Sequence, residues 1–159
     1  MLFRSIATAA LVAAMVLGGL YFMLRTPSGV TASASSTFHD MDVFRAENVL
    51  DGDSSTEWFL QDRASGWVEA RIVPAVDISS VTVTNSDNPP HFDRAAREFR
   101  VELYSHGELI ASEEGEFEAL DHDPAPRTIA IEGAAVDRVR AVVLSHHALG
   151  GGLADVTWE

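Results

Sequence analysis

The chain has 159 residues, 47% of them hydrophobic, with 24 acidic residues, 11 basic residues and no cysteine. This length allows one domain of ordinary size and a short appendage. A formal net charge of −13 disfavours nucleic acid as a partner, because phosphates are repelled, and the lack of cysteine excludes disulfide bonds.

The first predicted element is a helix within residues 1–29. An uncharged apolar run extends from residue 6 to residue 24, and an arginine stands on either side of it. As an α-helix this run is about 28 Å long, close to the hydrocarbon thickness of a bilayer. The run therefore predicts a signal anchor that spans the membrane, and residues 30–159 form the domain that follows it.

A cleaved signal peptide is the alternative for the same segment. The small residues Ala32-Ser33-Ala34 fit a peptidase site, and cleavage near Ala34 would release a secreted or periplasmic protein. The apolar run is longer than the usual core of a signal peptide, and Ala34 lies ten residues beyond its end, which favours the anchor. In both cases the positive charges at the N-terminus direct residues 30–159 to the extracytoplasmic side.

The part of the chain after residue 29 is strongly acidic. It contains all 24 acidic residues and nine arginines, a net charge of −15. This charge opposes anionic lipid headgroups, but it is compatible with cations and with neutral ligands such as sugars.

Short segments with alternating apolar and polar residues make up most of residues 30–159. This period of two is typical of strands with one buried face. Turn residues such as Asp51-Gly52 and His106-Gly107 separate the segments, and only residues 43–50 suit a short helix. The pattern predicts an all-β fold, an antiparallel β-sandwich or jelly roll, behind the apolar helix. The predicted strands are residues 66–73, 81–84, 99–104, 108–113, 116–120, 129–131, 138–143 and 154–159.

The loop that begins at Asp51 is rich in hard oxygen donors. Asp51, Asp53, Ser55 and Thr56 carry them, and Gly52 permits a tight bend. Such donors suit Ca²⁺ better than zinc or copper. The EF-hand pattern does not fit, because its sixth position requires glycine and Thr56 stands there. Two alternatives remain: a calcium loop of another kind, and a turn held by its own side chains without metal.

Several motifs follow one another in an order known from one family. They are Asp51-Gly52-Asp53 followed by Thr56 and Trp58, the strand that Trp67 opens, the strand and hairpin of residues 97–107, and the closing residues 152–156. Over residues 35–159 the chain therefore resembles discoidin-like domains, also called coagulation factor 5/8 type C domains. The resemblance implies a galactose-binding-like jelly roll.

The same resemblance implies a structural Ca²⁺ between the Asp-Gly-Asp loop and the last strand. Asp155 stands where the family usually has Glu, so this ligand would be shorter. The ion would fix the loop to the terminus and take no part in catalysis. By position in the family, the calcium ligands would be Asn48, Asp51, Asp53, Thr56 and Asp155.

The loop of residues 85–94 combines amides, an imidazole, an aromatic ring and a guanidinium. This set suits a sugar, whose hydroxyls need paired hydrogen bonds and whose apolar face packs on an aromatic ring. In sugar-binding members of the family a His, an Arg and an Asn from comparable loops make these bonds. Arg94 also has an alternative role, a surface ion pair with Asp93. Four of the predicted ligand-binding residues belong to this loop: Asn88, His91, Phe92 and Arg94. The fifth is His146, just before the glycine triplet, which is predicted to line the same rim.

Enzymatic motifs are lacking in the sequence: there is no hydrolase nucleophile elbow, phosphate-binding loop or zinc-protease helix. Trp58, Trp67 and Trp158 are predicted to lie in the core rather than against a sugar. The sequence therefore predicts a non-catalytic exported recognition module that binds a glycan through loops at one end of a calcium-stabilised jelly roll. The alternative is a protein-interaction or scaffold domain of a cell-envelope complex without glycan binding.

Overall fold

Alternating apolar and polar residues form seven strands in the computed structural model, which describes residues 29–118 and 125–159. All paired strands run antiparallel, so the predicted all-β antiparallel sandwich is confirmed. Three short 3-10 helices precede the second strand: Phe38–Asp40, Asp42–Phe44 and Ala46–Leu50. The strands are β1 (Gly29–Ala34), β2 (Trp58–Phe59), β3 (Gly66–Asn85), β4 (Glu98–Ser105), β5 (Glu108–Glu116), β6 (Arg127–Val143) and β7 (Gly152–Trp158).

Two strands of unusual length, β3 and β6, hold the sandwich together. Residues 66–71 of β3 pair with residues 138–143 of β6, and this half adds β1 on one side and β4 and β5 on the other. Further along, residues 80–83 pair with 127–130, and β7 and β2 complete that row. Register shifts after Arg71 allow both strands to bend between the two halves. We call these halves the five-stranded layer and the four-stranded layer.

The inward faces of the strands form the core. In β4, Val101 and Leu103 are fully buried, and they alternate with residues that face outwards. Val139 and Ala141 of β6 follow the same rule. Trp58 is among the largest fully buried side chains and packs into the same cluster. Because one face of each strand meets the core and the other does not, the period of two in the sequence was a reliable signal.

Four of the predicted strands are parts of two longer ones. Residues 66–73 and 81–84 both belong to β3, and residues 129–131 and 138–143 both belong to β6. Pairing between β3 and β6 resumes after each register shift, so one strand continues where the local alternation breaks.

Two predicted elements differ in detail. Of the strand predicted over residues 116–120, Glu116 is the last residue of β5, and Phe117 turns inwards and packs with its ring 4.8 Å from that of Phe99. Residues 119–120 lie outside the described residues. The helix predicted over residues 43–50 is wrong as one element, because Arg45 is extended and separates two 3-10 helices.

The three tryptophans have different environments. Trp58 is fully buried, as predicted, and Trp158 is partly buried against the core. The prediction for Trp67 is wrong: its ring lies on the outer face of the five-stranded layer, with the guanidinium carbon of Arg140 4.3 Å from the ring centroid. Its neighbour Val68 takes the inward position, so strand alternation turns Trp67 outwards.

The segment before β1 carries the predicted apolar helix. That prediction, over residues 6–24, lies outside the described residues. Within residues 29–118 and 125–159, no helix is long and apolar enough to cross a membrane.

Candidate functional site

Two loops lie side by side at one end of the sandwich. Residues 86–97 connect β3 to β4, and residues 144–151 connect β6 to β7. Their backbones are joined by hydrogen bonds from Ala95 N to Gly150 O at 3.1 Å and from Leu149 N to Asp93 O at 2.9 Å. We call this pair of segments the two-loop surface. It brings the predicted ligand residues of both loops to the same end of the domain.

A closed turn from residue 88 to residue 92 forms the tip of the first loop. The carbonyl of Asn88 accepts the N–H groups of His91 at 2.9 Å and Phe92 at 2.8 Å. Asn88 and Phe92 both have positive φ angles, 50° and 51°, and the Asn88 amide donates a hydrogen bond to the Asp93 carboxylate. The backbone of the turn is therefore fixed, and the His91 side chain is exposed at its tip.

Glu57 holds this turn in place from the buried side of the loop. Its buried carboxylate accepts the N–H groups of Asp87 at 2.7 Å and Asn88 at 3.0 Å. Burial raises the pKa of Glu57, and these two hydrogen bonds oppose the rise. Sequence reasoning missed Glu57, because the two N–H groups that its carboxylate accepts lie 30 and 31 positions later in the chain.

The neck of the first loop is closed by Asn85. Its amide donates to the carbonyl of Ala96, and its amide oxygen accepts the Ala96 N–H, both at 2.9 Å. This two-bond pairing holds the loop ends together as a neighbouring strand would.

Arg94 has a different place from the one predicted. Only 4% of the residue is exposed, and its guanidinium lies 3.8 Å from the ring centroid of Phe38. It donates hydrogen bonds to the carbonyl of Leu60, at 3.3 Å, and to the carboxylate of Asp62. The ion pair expected with Asp93 is therefore wrong. Arg94 therefore supports the loop of residues 86–97 from the buried side of that loop.

Gly150 makes room for this guanidinium. A Cβ atom at Gly150 would lie 2.6 Å from Nη1 of Arg94, so a larger residue would displace it. The first glycine of the triplet after Leu149 thus serves the packing of Arg94.

His146 and His147 point to opposite sides of the second loop. The Nδ1 atom of His146 lies 2.8 Å from the carbonyl oxygen of Ala148, and the side chain is partly exposed. His147 Nε2 lies 2.6 Å from the carbonyl oxygen of Phe117 and is tied to the interior of the domain. Of the two, His147 is engaged with a residue outside the two-loop surface, and His146 bonds within its own loop.

The Asp51 loop is a turn built from its own side chains. Asp51 accepts the Asp53 N–H at 2.9 Å with one oxygen and the Thr56 hydroxyl at 2.8 Å with the other. Asp53 accepts the hydroxyl of Ser55 at 2.6 Å, and this bond lowers the pKa of Asp53. Asn48 is buried beside the loop and donates from its amide to the carbonyls of Val43 and Glu57, both at 2.8 Å. The predicted turn is present, and hydrogen bonds bring the side-chain oxygen atoms of Asp51, Asp53, Ser55 and Thr56 close together in it.

Asp155 supplies an unusual carboxylate next to this loop. Its Oδ1 atom is buried and has no hydrogen-bond partner among the described residues. Burial raises the pKa of Asp155; the N–H of Val156 opposes the rise, and the negative charge of Asp51 adds to it. Two carboxylates therefore approach each other, and one oxygen of the second lacks a partner, which is an arrangement that fits a hard cation.

The residues around Asp155 could supply only part of the ligand set of a Ca²⁺ ion. Within the described part of the chain, no group of three or more His, Asp or Glu side chains is arranged to hold a metal. A Ca²⁺ there would need hydroxyl, carbonyl or water oxygens to complete its six to eight ligands. A cleft of about 430 Å³ lies beside the loop and is lined by Gly52, Ser54, Ser55, Thr84, Asn85, Asp87, Pro89, Pro126 and Asp155.

These features define an all-β antiparallel sandwich with two paired loops at one end and an aspartate-rich turn beside its last strand. Among solved structures, the chain is similar to a F5/8 type C domain from Bacteroides fragilis, with a TM-score of 0.68 and 18% identity over 82% of this chain and 90% of that one. It therefore has the discoidin-like, galactose-binding-like fold of the F5/8 type C domains, as the resemblance implied.

Two further structures are carbohydrate-binding modules. The family 32 module of the Clostridium perfringens NanJ protein, in complex with galactose, has a TM-score of 0.65 and 15% identity, with 81% of this chain and 92% of that chain covered. A fucose-binding module of Streptococcus pneumoniae has a TM-score of 0.63 and 14% identity, over 81% and 92% of the two chains. No protein-family model and no curated protein matches the sequence.

Proposed function

We propose that the chain is a non-catalytic carbohydrate-binding domain that acts outside the cytoplasm and binds a glycan at the two-loop surface. The observation that carries the proposal is the fixed turn of residues 88–92, which presents the His91 imidazole to solvent. Domains of the same fold that bind galactose and fucose support it. We propose Asn88, His91, Phe92 and His146 as ligand residues and Arg94 as the residue that positions their loop.

The chemistry of these side chains suits sugar hydroxyls. An imidazole offers one donor and one acceptor, and an amide offers both as well, so a hydroxyl can be satisfied in either direction. The half-buried ring of Phe92 adds an apolar surface against which the C–H face of a sugar can pack. Since the turn is already closed by its own hydrogen bonds, little conformational entropy is lost when a ligand binds.

A structural Ca²⁺ is part of the proposal. The carboxylates of Asp51 and Asp155 would hold it, and Asp53, Thr56 and Asn48 offer the remaining oxygen donors. The unpartnered, buried Oδ1 of Asp155 supports this assignment. The ion would neutralise two carboxylates that otherwise repel each other and would link the Asp51 loop to β7.

Retention of the N-terminal segment as a membrane anchor has support from β1. All six residues of β1 pair with β3, so cleavage near Ala34 would remove an entire strand and expose the edge of β3. We therefore propose an extracytoplasmic domain tethered through residues 6–24. Fractionation of cells is expected to recover the chain with the membranes. A soluble protein that begins at Ser35 would contradict the anchor.

His91→Ala is expected to weaken glycan binding at least tenfold, because the variant removes the exposed donor and acceptor from the fixed turn. The measurement is a glycan array followed by titration of the best saccharide, with galactose, N-acetylgalactosamine and fucose included. The full chain should be kept in a detergent free of sugar.

His106→Ala is the matched control for this experiment. His106 is also exposed, but it lies in the hairpin at the far end of β4, so its replacement is expected to leave glycan affinity unchanged. If the wild-type chain bound no saccharide on the array, the alternative of a protein-interaction or scaffold domain of a cell-envelope complex would replace glycan binding.

A further inference from the structure

A second polar surface lies on the outer face of the five-stranded layer, away from both loops described above. Four of the nine arginines that follow residue 29 share this face: Arg71 in β3, Arg100 in β4, and Arg138 and Arg140 in β6. In a domain of net charge −15, such a concentration of positive charge on one face needs a physical reason.

Two of these arginines are neutralised by neighbouring carboxylates. Arg140 donates to Oε2 of Glu69 from Nε at 2.9 Å and from Nη2 at 2.7 Å. Arg100 donates from Nε to Glu102 at 2.8 Å. The first pair joins opposite residues of β3 and β6, and the second joins two residues of β4. The charges of Arg140 and Arg100 are therefore balanced within the sheet.

Arg71 has no such partner among the described residues, and Arg138 has only a long ion pair, beside the ring of Tyr104, whose centroid lies 4.8 Å from its guanidinium carbon. They stand directly opposite each other on β3 and β6, a position in which like charges repel. The closest carboxylate oxygen to Arg138 is Oε2 of Glu69, 3.8 Å from Nη1, and this oxygen already serves Arg140. The Nε–H of Arg138 is buried without a hydrogen-bond partner among residues 29–118 and 125–159, and no ion pair of those residues includes Arg71.

Arg71 and Arg138 are both among the residues that line a cleft of about 370 Å³ at the end of the five-stranded layer. Among the described residues that line it, Asp137 supplies the one carboxylate, which accepts the backbone N–H of His106 at 2.8 Å and so holds the β4–β5 hairpin. The other lining residues are Ile72, Val73, His106 and Gly107. The cleft thus contains two positive charges that repel each other, one donor without a partner and one carboxylate that is already engaged.

We propose that this cleft binds a phosphate group through Arg71 and Arg138. A phosphate has oxygens on several sides and can accept hydrogen bonds from two opposing guanidinium groups at once, whereas a carboxylate presents a single edge that one guanidinium fills. A bound phosphate would remove the repulsion between the two arginines and provide an acceptor for the buried donor of Arg138.

A zwitterionic lipid headgroup, which the net charge of −15 does not oppose, is one source of this phosphate, and the place of the cleft favours it. Gly29, the first residue of β1, pairs with Val73 at the rim of the cleft. Only residues 25–28 separate Gly29 from the apolar run, and four extended residues reach at most about 14 Å. This step rests on the proposed membrane anchor. A soluble phosphate-bearing compound is the other source and does not depend on the anchor.

The test uses the full chain in polyoxyethylene detergent micelles, which contain neither phosphate nor sugar. Inorganic phosphate is titrated by isothermal calorimetry. Wild type is expected to bind saturably, and Arg71→Gln and Arg138→Gln are each expected to lose at least tenfold in affinity. Because Arg71 is exposed, its replacement leaves the fold intact, and a melting curve checks this.

Arg127→Gln is the matched control, since Arg127 is an exposed arginine of the same strand as Arg138, at its other end. Its affinity for phosphate is expected to equal that of wild type. The absence of saturable binding to wild type, or an equal loss in Arg127→Gln, would overturn the proposal. Glycan binding measured on the same samples is independent, so failure of one proposal leaves the other standing.

Phospholipid nanodiscs distinguish the two sources. If a headgroup occupies the cleft, inorganic phosphate binds at least tenfold more weakly to the chain in nanodiscs than in micelles. If the source is a soluble compound, the two affinities are equal. Either result requires that binding in micelles depends on Arg71.

Discussion

Calcium is expected to raise the melting temperature of the full chain, and a chelator is expected to reverse the effect. At a hundredfold excess over its dissociation constant, a ligand that binds only the folded state stabilises it by about 2.7 kcal/mol. For a chain of this size that corresponds to a rise of about 5–11 °C. The melt can be followed by circular dichroism with CaCl₂ and then with EGTA. An unchanged melting temperature would contradict the structural ion.

Asp155→Asn gives the sharper version of this test, because its effect should differ in sign between the two conditions. In chelator, the neutral amide removes both the burial of a charged group and its repulsion by Asp51, so the variant should be at least as stable as wild type. In calcium, wild type should be the more stable of the two, because the variant has lost a ligand. Asp42→Asn, at an exposed aspartate outside the loop, is expected to keep the full calcium response.

A variant that responded to calcium like wild type would exclude Asp155 as a ligand. A variant less stable than wild type even in chelator would instead show that the carboxylate is needed for the fold itself. The two results separate the ion from the packing around β7.

The sequence predicted what depends on near neighbours along the chain. The alternation around Val101 and Leu103 identified β4, and the aspartates at 51 and 53 identified a tight turn whose side chains bond within it. The order of several weak motifs identified the fold, because the spacing between them is fixed by the strands that connect them.

Contacts between distant parts of the chain were beyond such reasoning. Glu57 accepts hydrogen bonds from residues 30 and 31 positions later, and Arg94 reaches Leu60, 34 positions earlier. Arg71 and Arg138 are opposite each other only because of the register between β3 and β6. The residue type of Trp67 suggested a core position, but Val68 takes the inward position next to it, so Trp67 faces outwards. In each case the chemistry of the side chain was visible in the sequence and its partner was not.

Arg94→Ala is expected to lower stability by about 3 kcal/mol, and the melting temperature by about 6–12 °C, because a buried side chain with several partners is lost. The variant leaves the carbonyl of Leu60 without a donor and removes the cation stacked on Phe38. Arg94→Lys should recover only part of the loss, since an ammonium group lacks the planar fork that reaches Leu60 and Asp62 together.

Arg97→Ala is the matched control, three residues further on. Its side chain is 54% exposed and pairs with the exposed Glu116 at 3.3 Å, so its removal should change stability by no more than about 0.5 kcal/mol. The comparison also decides between the two roles of Arg94. A residue that contacts the sugar directly would lose glycan affinity in Arg94→Ala while the melting temperature stayed constant. If Arg94 instead holds the loop from its buried side, Arg94→Ala must lower the melting temperature. Its glycan affinity then falls because the turn of residues 88–92 is no longer fixed.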